Sequence, residues 1–152
     1  ALLSCLSNIP INQSFAITGS VNQKGDIQPI GGVNEKIEGF FDICKSRGLT
    51  KKQGVVIPIQ NVKDLMLKDE VVEAVQNKEF HIYPVSRVEE AIELLTGVRA
   101  GKIISTGYHQ TNTVFGLVEK TLREMRTKMK PIVNKVQPPP AKSKSPRTKK
   151  KK

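Results

Sequence analysis

The stretch "QPIGGVNEKIEGFFDICKSRGL", residues 28–49, decides the fold class of this chain. Two glycines, Gly31 and Gly32, end the preceding extended segment, and the residues after them predict a helix. Its apolar residues recur at helical spacing and form one stripe: Val33, Ile37, Phe40, Phe41 and Cys44. At about 100° per residue, Lys36 lies at the edge of that stripe, where a solvated lysine is not expected. The position of this amine makes Lys36 the first candidate functional residue in the sequence.

Extended runs alternate with helices on both sides of this helix. The predicted strands are a hairpin over 14–30, turning at Gly25, and runs over 54–59 and 80–85. The predicted helices are the last turns of a helix at 2–6, two short helices within 61–78, and one over 87–97 that ends at Gly97. Residues 1–97 are therefore predicted to form a compact α/β (α+β) domain, with a hairpin, mixed strands and flanking helices.

The character of the sequence changes after Gly97. Residues 98–113 are rich in Gly, Ser and Thr, and they predict a loose linker. Residues 114–130 show apolar residues at helical spacing and predict an amphipathic helix that Pro131 ends. Residues 131–152 offer little that could build a core and carry charge of one sign, so they predict a disordered basic tail.

Charge is distributed very unevenly along the chain. Residues 1–98 carry 10 Lys and Arg against 12 Asp and Glu, whereas residues 99–152 carry 15 against 2. The basicity therefore belongs to the tail, and a lysine-rich tail without interleaved aromatic residues favours weak, nonspecific binding of nucleic acid over base-specific recognition. A terminus that only improves solubility is the simpler interpretation of the same charge run.

The two cysteines and the hydropathy indicate a compartment. Cys5 and Cys44 have no ligand-like spacing, and both are expected to be buried reduced thiols, as in the cytoplasm. No secretory signal or apolar run of membrane-spanning length is present, so the sequence predicts a soluble intracellular protein without a membrane partner.

The lysine at the stripe edge allows two interpretations. An amine held against apolar side chains loses hydration in its charged form, so its pKa falls and it can take the proton of a serine hydroxyl. Alternatively, the methylene groups of Lys36 lie on the core and its ammonium stays in water, as for most lysines at a helix edge. Spacing alone does not decide between them.

Three stretches together carry a resemblance to a known family. They are "AITGSVNQKGDIQPIGGVNEKIEGFFDICKSRGL", "GVVIPIQNVKDL" and "FHIYPVSRVEEAIELLTG". In this order they closely resemble the proteolytic domain of the Lon family of ATP-dependent proteases, over roughly residues 1–97. The segment "VNEKIEGFFD", residues 33–42, is most similar to the Lon-like branch of that family.

The resemblance implies roles for two residues. The lysine of the Gly-Gly-x-x-Glu-Lys segment aligns with Lys36, and in the family it is the general base of a Ser–Lys dyad. The threonine of the preceding Thr-Gly pair aligns with Thr18, which would orient the lysine by a hydrogen bond. The family nucleophile lies in a Gly-(Pro/Asp)-Ser-Ala segment, which this sequence does not contain, and Ser4, Ser7 and Ser14, like Ser20, do not match it. The chain is therefore expected to hold the lysine half of the dyad and to be inactive alone.

The resemblance also implies partners that the chain itself does not contain. The family hydrolyses unfolded or tagged protein substrates in a homo-oligomeric ring fed by an ATPase module. No Walker motif occurs among the 152 residues, so ATP and Mg would act only through a separate module, and no cofactor is expected in this chain. Neither His81 nor His109 has metal-ligand spacing, so no metal site is predicted. The alternative function is a non-catalytic remnant or accessory protein whose basic tail binds nucleic acid.

Overall fold

The computed structural model of the chain describes residues 1–133, with side-chain surroundings for residues 1–129, and it shows the predicted mixture of helices and strands. The strands are β1 (Phe15–Ile17), β2 (Ser20–Val21), β3 (Ile27–Gln28), β4 (Gly54–Pro58) and β5 (His81–Val85). The helices are α1 (Leu2–Ser7), α2 (Val33–Arg47), α3 (Asp69–Gln76), α4 (Val88–Thr96) and α5 (Val114–Val133), with a 3-10 helix over Ile59–Asp64. The α/β prediction is confirmed.

A parallel sheet with the order β1-β4-β5 lies at the centre of the body. All five residues of the middle strand β4 are buried, because both of its edges are paired and both faces are covered. Strands β2 and β3 form a separate antiparallel hairpin, with Val21 opposite Ile27, which is shorter than the predicted hairpin over 14–30 because Phe15–Ile17 pairs in parallel with β4. Its turn contains Gly25 at φ 82°, as the sequence predicts.

Helix α2 covers the sheet with the predicted apolar stripe. Val33, Ile37, Phe41 and Cys44 are all buried in the largest apolar cluster of the body. Phe41 meets Phe80 edge to face, with ring centroids 5.3 Å apart. This helix therefore fixes the position of everything that its first turn carries.

Cys5 differs from its predicted environment. Cys44 is buried, and burial raises the pKa of its thiol, but Cys5 is exposed. The reason is geometric: Leu3 packs toward the cluster of Ile92 and Val114, while Cys5, about 200° further round the same short helix, faces away from it.

The segment 98–113 is more ordered than the predicted loose linker. Ile103 and His109 form an antiparallel bridge, and the N–H of Gln110 donates to the Lys102 carbonyl at 3.0 Å. Burial explains the difference: Ala100 is only 2% exposed and packs with Ile92 at the start of α5. Residues 98–113 therefore form a compact turn structure instead of a loose linker.

Helix α5 is slightly longer than predicted, since it runs past position 131 to Val133. A proline removes its own backbone hydrogen bond, but so near the helix end the preceding turns remain intact. Among the described residues, no helix is both long and apolar enough to cross a membrane. The predicted disorder of the basic tail lies, from residue 134 onward, outside the described residues.

Candidate active site

The candidate site is built on the first turn of α2. Gly32 immediately precedes the helix at φ 68°, a conformation that suits glycine, and this turns the chain from the loop into the helix. Lys36 follows in the first turn, and its Nζ donates to the Gly31 carbonyl at 3.4 Å. The loop and the helix start thus form one local unit around the lysine.

The Lys36 side chain is exposed, so the expectation that its ammonium lies against the core is wrong. Its backbone position at the edge of the buried stripe is as predicted, beside the buried residues Val33 and Ile37. The long methylene chain nevertheless carries Nζ away from these residues into solvent. The exposure of Lys36 agrees with the second of the two interpretations, in which the ammonium stays in water.

Thr18 follows the last residue of β1 and is half-buried. Its backbone N–H donates to the Val56 carbonyl at 3.0 Å, which holds it at the end of the parallel sheet. Among the described contacts, no hydrogen bond joins the side chains of Thr18 and Lys36. The orienting role of Thr18 therefore stays a prediction.

The serines of the described region serve local structure. The Ser4 hydroxyl donates to the Ile9 carbonyl at 2.5 Å, and that of Ser7 to the Ser4 carbonyl at 3.3 Å. The Ser20 hydroxyl donates to the Gln28 side chain. None of these hydroxyls, nor that of Ser14, bonds to Lys36 among the described contacts, and so the structure gives none of them an activating base.

Two asparagines that no sequence pattern predicts fix the loop before α2 and the first turn of α2 to the segment after β4. Asn61 is 3% exposed; its Oδ1 accepts the Ile30 N–H and its Nδ2 donates to the Ile30 carbonyl, both at 3.0 Å. Asn34 does the reverse from α2, since its Nδ2 donates to the Asp64 carbonyl and its Oδ1 accepts the Met66 N–H. Such pairs bring together residues some 30 positions apart, and no local pattern signals them.

The acidic residues near the lysine have structural partners. Glu38 accepts the Lys68 N–H at 3.0 Å and lies 3.4 Å from the Lys68 ammonium. Glu35 stands in the first turn of α2, where the helix dipole favours a carboxylate. In the part of the chain with described side chains, no group of three or more His, Cys, Asp and Glu is arranged to hold a metal ion.

A separate groove of about 810 Å³ lies between the 104–112 turn and α5. On its wall Glu119 accepts the His109 N–H and an Arg123 N–H, both at 2.9 Å. The Arg123 guanidinium also lies 3.6 Å from the centroid of the Tyr108 ring. Neither Lys36 nor Thr18 lines this groove.

Comparison with known proteins identifies the body of the chain. Residues 1–97 match the C-terminal proteolytic domain of Lon protease, peptidase family S16. The fold and the sequence of this body are therefore those of a Lon-type peptidase domain. The chain belongs to the Lon protease family.

Individual relatives agree with this assignment. A Lon protease homolog of Escherichia coli is 57% identical over 95 residues, which are 62% of this chain and 16% of the relative. A Lon protease homolog of Haemophilus influenzae is 54% identical over 96 residues, 63% and 16% of the two chains. The archaeal Lon protease of Archaeoglobus fulgidus is 36% identical over 107 residues, 69% and 15%. The chain thus spans about a sixth of the length of these relatives.

Proposed function

We propose that this chain is the base-bearing part of an ATP-dependent Lon-type serine endopeptidase, with Lys36 as general base and Thr18 as its orienting partner. The observation that carries the proposal is the position of Lys36. It lies in the first turn of a helix that a buried core fixes, within the part of the chain that the Lon domain matches. Among the described contacts the exposed Nζ has one long hydrogen bond, so another segment can approach it.

The proposed chemistry needs a serine from outside these 152 residues. The Lys36 amine takes the proton of that serine hydroxyl while the oxygen attacks the peptide carbonyl carbon. The ammonium then gives this proton to the leaving amine, the peptide C–N bond breaks, and water hydrolyses the acyl-enzyme. An amine in bulk water is a poor base at neutral pH, and so the approaching serine segment must also remove water from Nζ.

The remaining parts of the proposal follow from the family. The substrates are unfolded or tagged proteins in the cytoplasm, delivered by an ATPase module to a homo-oligomeric ring. ATP and Mg act in that module. These partners lie outside the chain, which supplies the lysine and the elements that hold it.

The experiment is to substitute Lys36 in a polypeptide that includes the upstream serine-bearing segment. Lys36→Arg should inactivate peptide hydrolysis nearly as completely as Lys36→Ala, because arginine keeps the charge but does not release its proton. Thr18→Val should cost roughly 10- to 100-fold, as expected for one hydrogen bond to a charged group. The measurement is kcat/KM on a small fluorogenic peptide.

The matched control is Lys45→Arg in the same helix. Lys45 pairs with Glu70 at 2.6 Å at the other end of α2, and so activity should stay unchanged. The 152-residue chain alone is expected to be inactive. A Lys36→Arg enzyme with substantial activity would contradict the proposed role of the lysine.

A second candidate function is favoured by the charge of the C-terminal region. Among the residues of α5 with described side chains, four cations are exposed: Lys120, Arg123, Arg126 and Lys128. Together with the basic residues beyond position 133, they suit nonspecific contacts to phosphate backbones. In this alternative the chain is a non-catalytic accessory protein that binds nucleic acid.

A further inference from the structure

Two reciprocal amide clamps join the segment after β4 to the loop before α2 and to the first turn of α2. Asn61 bonds both backbone groups of Ile30, and Asn34 bonds the Asp64 carbonyl and the Met66 N–H. Each asparagine thus satisfies one donor and one acceptor of the opposite segment, as a neighbouring strand would. The two segments are held by four hydrogen bonds of 3.0–3.1 Å.

Asn61 is the more buried member of this pair. At 3% exposure, its amide is removed from water, so each of its polar atoms needs a partner. The Ile30 groups supply two of these partners, and the Asp64 carboxylate accepts a further N–H at 3.3 Å. Loss of the Asn61 amide would leave the Ile30 backbone groups without partners in a partly buried place.

The clamps lie on the side of α2 away from the lysine. Asn34 and Glu38 are one turn apart and both bond to the 64–68 segment. Lys36 lies between them in sequence, about 200° around the helix from each. The helix start is therefore held from one side while Lys36 projects from the other.

We propose that Asn61, supported by Asn34, is a positioning residue that fixes the Ile30–Gly32 loop and thereby the direction of the Lys36 side chain. The Gly31 carbonyl, the hydrogen-bond partner of Lys36 Nζ, follows directly after the clamped residue Ile30. This inference rests on the proposed function, in which the lysine must meet a serine from another segment in one geometry. The hydrogen bond of Lys36 Nζ to Gly31 can orient the side chain only if the loop that carries the Gly31 carbonyl is itself fixed.

The experiment compares Asn61→Ala with Gln53→Ala in the 152-residue chain. Gln53 is a matched control because its side-chain amide accepts the Thr50 N–H at 2.7 Å and donates to the Gly48 carbonyl, just past the other end of α2. Each variant removes an amide clamp from a loop that adjoins α2, at its start for Asn61 and just past its end for Gln53. Only Asn61→Ala should change the contact between the Lys36 side chain and Gly31.

The readouts are hydrogen exchange of the Ile30 amide and the nuclear Overhauser contact between the Lys36 ε-methylene and Gly31. Asn61→Ala should raise the exchange rate of the Ile30 amide roughly 10- to 100-fold and remove that contact at a temperature well below unfolding. Gln53→Ala should leave both unchanged. An unaltered Lys36–Gly31 contact in a folded Asn61→Ala chain would overturn the inference.

Asn34→Ala provides the second variant if Asn61→Ala does not fold, since Asn34 is less buried and its loss leaves no buried amide group behind. It should weaken the same contact to a smaller extent. An unchanged contact in this variant would then overturn the inference.

Activity separates this inference from the proposed function. In the polypeptide with the serine segment, Asn61→Ala should lower kcat while KM changes little, and Gln53→Ala should change neither. If Lys36→Arg abolishes activity but Asn61→Ala keeps full kcat, the positioning role is overturned and the proposed function stands. If Lys36→Arg stays active, the proposed function fails, and the Lys36–Gly31 contact alone decides whether Asn61 orients the side chain.

Discussion

The body of residues 1–97 and the C-terminal region of residues 98–133 are stabilised in different ways. In the body, a parallel sheet and α2 enclose an apolar cluster with fully buried members such as Ile37, Phe80 and Val71. In the C-terminal region, the buried apolar residues are few, and a polar cluster around Glu119 joins the 104–112 turn to α5. The family match ends at residue 97, and apolar burial continues past it only in the small cluster in which Ala100 and Val114 pack with Ile92.

This difference indicates which region is rigid enough to hold Lys36 for the proposed chemistry. A core of close-packed side chains holds its geometry within narrow limits, whereas exposed ion pairs contribute little each. Leu122, Met125 and Met129 of α5 also remain largely exposed, which indicates a helix that the described body covers only in its first turns. The body is therefore the rigid element that carries Lys36, and the C-terminal region is an attachment to it.

The largest effect is expected from Phe41→Ala in the body. Phe41 is 2% exposed and packs on Phe80, so its truncation should lower the free energy of unfolding by about 3–5 kcal/mol. The measurement is urea denaturation followed by circular dichroism. Phe115→Ala is the matched control in the C-terminal region, where the half-buried ring meets His109; it should loosen α5 and leave the unfolding of the body nearly unchanged. Equal losses in both variants would break the comparison.

An intermediate effect is expected when the C-terminal region is acidified. The His109 backbone N–H, and next the Arg123 guanidinium, hold the pKa of Glu119 below its ordinary value. A lowered pKa in the folded state means that the stabilisation is present above the ordinary carboxyl pKa and is lost as pH falls through the folded pKa of Glu119. The protection of the His109 amide, taken relative to its intrinsic exchange rate, should therefore decrease at acid pH.

Glu119→Gln should remove most of this pH dependence, because glutamine keeps a hydrogen-bonding side chain that does not titrate. Glu124→Gln is the control, since Glu124 is exposed on the same helix and makes no hydrogen bond among the described contacts. The experiment follows the exchange of the His109 amide after correction for intrinsic exchange rates. An unchanged pH dependence in Glu119→Gln would show that another group controls the attachment.

The smallest effect on stability is expected from deletion of residues 137–152. This segment has no residue set that could build a core, so the melting temperature should change little. Any affinity for duplex DNA should decrease, and in the intact chain it should fall steeply with salt as counterions are released. Thermal melting and fluorescence anisotropy at two salt concentrations measure both. Salt-insensitive binding that survives the deletion would argue against the nucleic-acid function.

Local patterns were enough to predict most of the body. The stripe of α2, the glycine turn at Gly25 and the extended run of β4 each depend on neighbours in sequence, and all three are confirmed. The exposure of Lys36 was not predictable, because a flexible side chain at a stripe edge can point either way. The clamps of Asn61 and the burial of Ala100 depend on residues far away in sequence, so spacing gives no sign of them.

The topology of the sheet has a consequence for the order in which the chain folds. Strand β1 pairs in parallel with β4, with Phe15 opposite Gly54, and so the hairpin and the whole of α2 lie inside the loop that this pairing closes. Closing so long a loop costs chain entropy before any sheet contact repays it, whereas the β2–β3 turn and α2 form from local contacts. The Asn61–Ile30 clamp joins a residue inside that loop to the segment that directly follows β4, so it forms together with the β1–β4 pairing. We therefore expect the meeting of β1 and β4 to limit the folding rate, after α2 has formed from its local contacts.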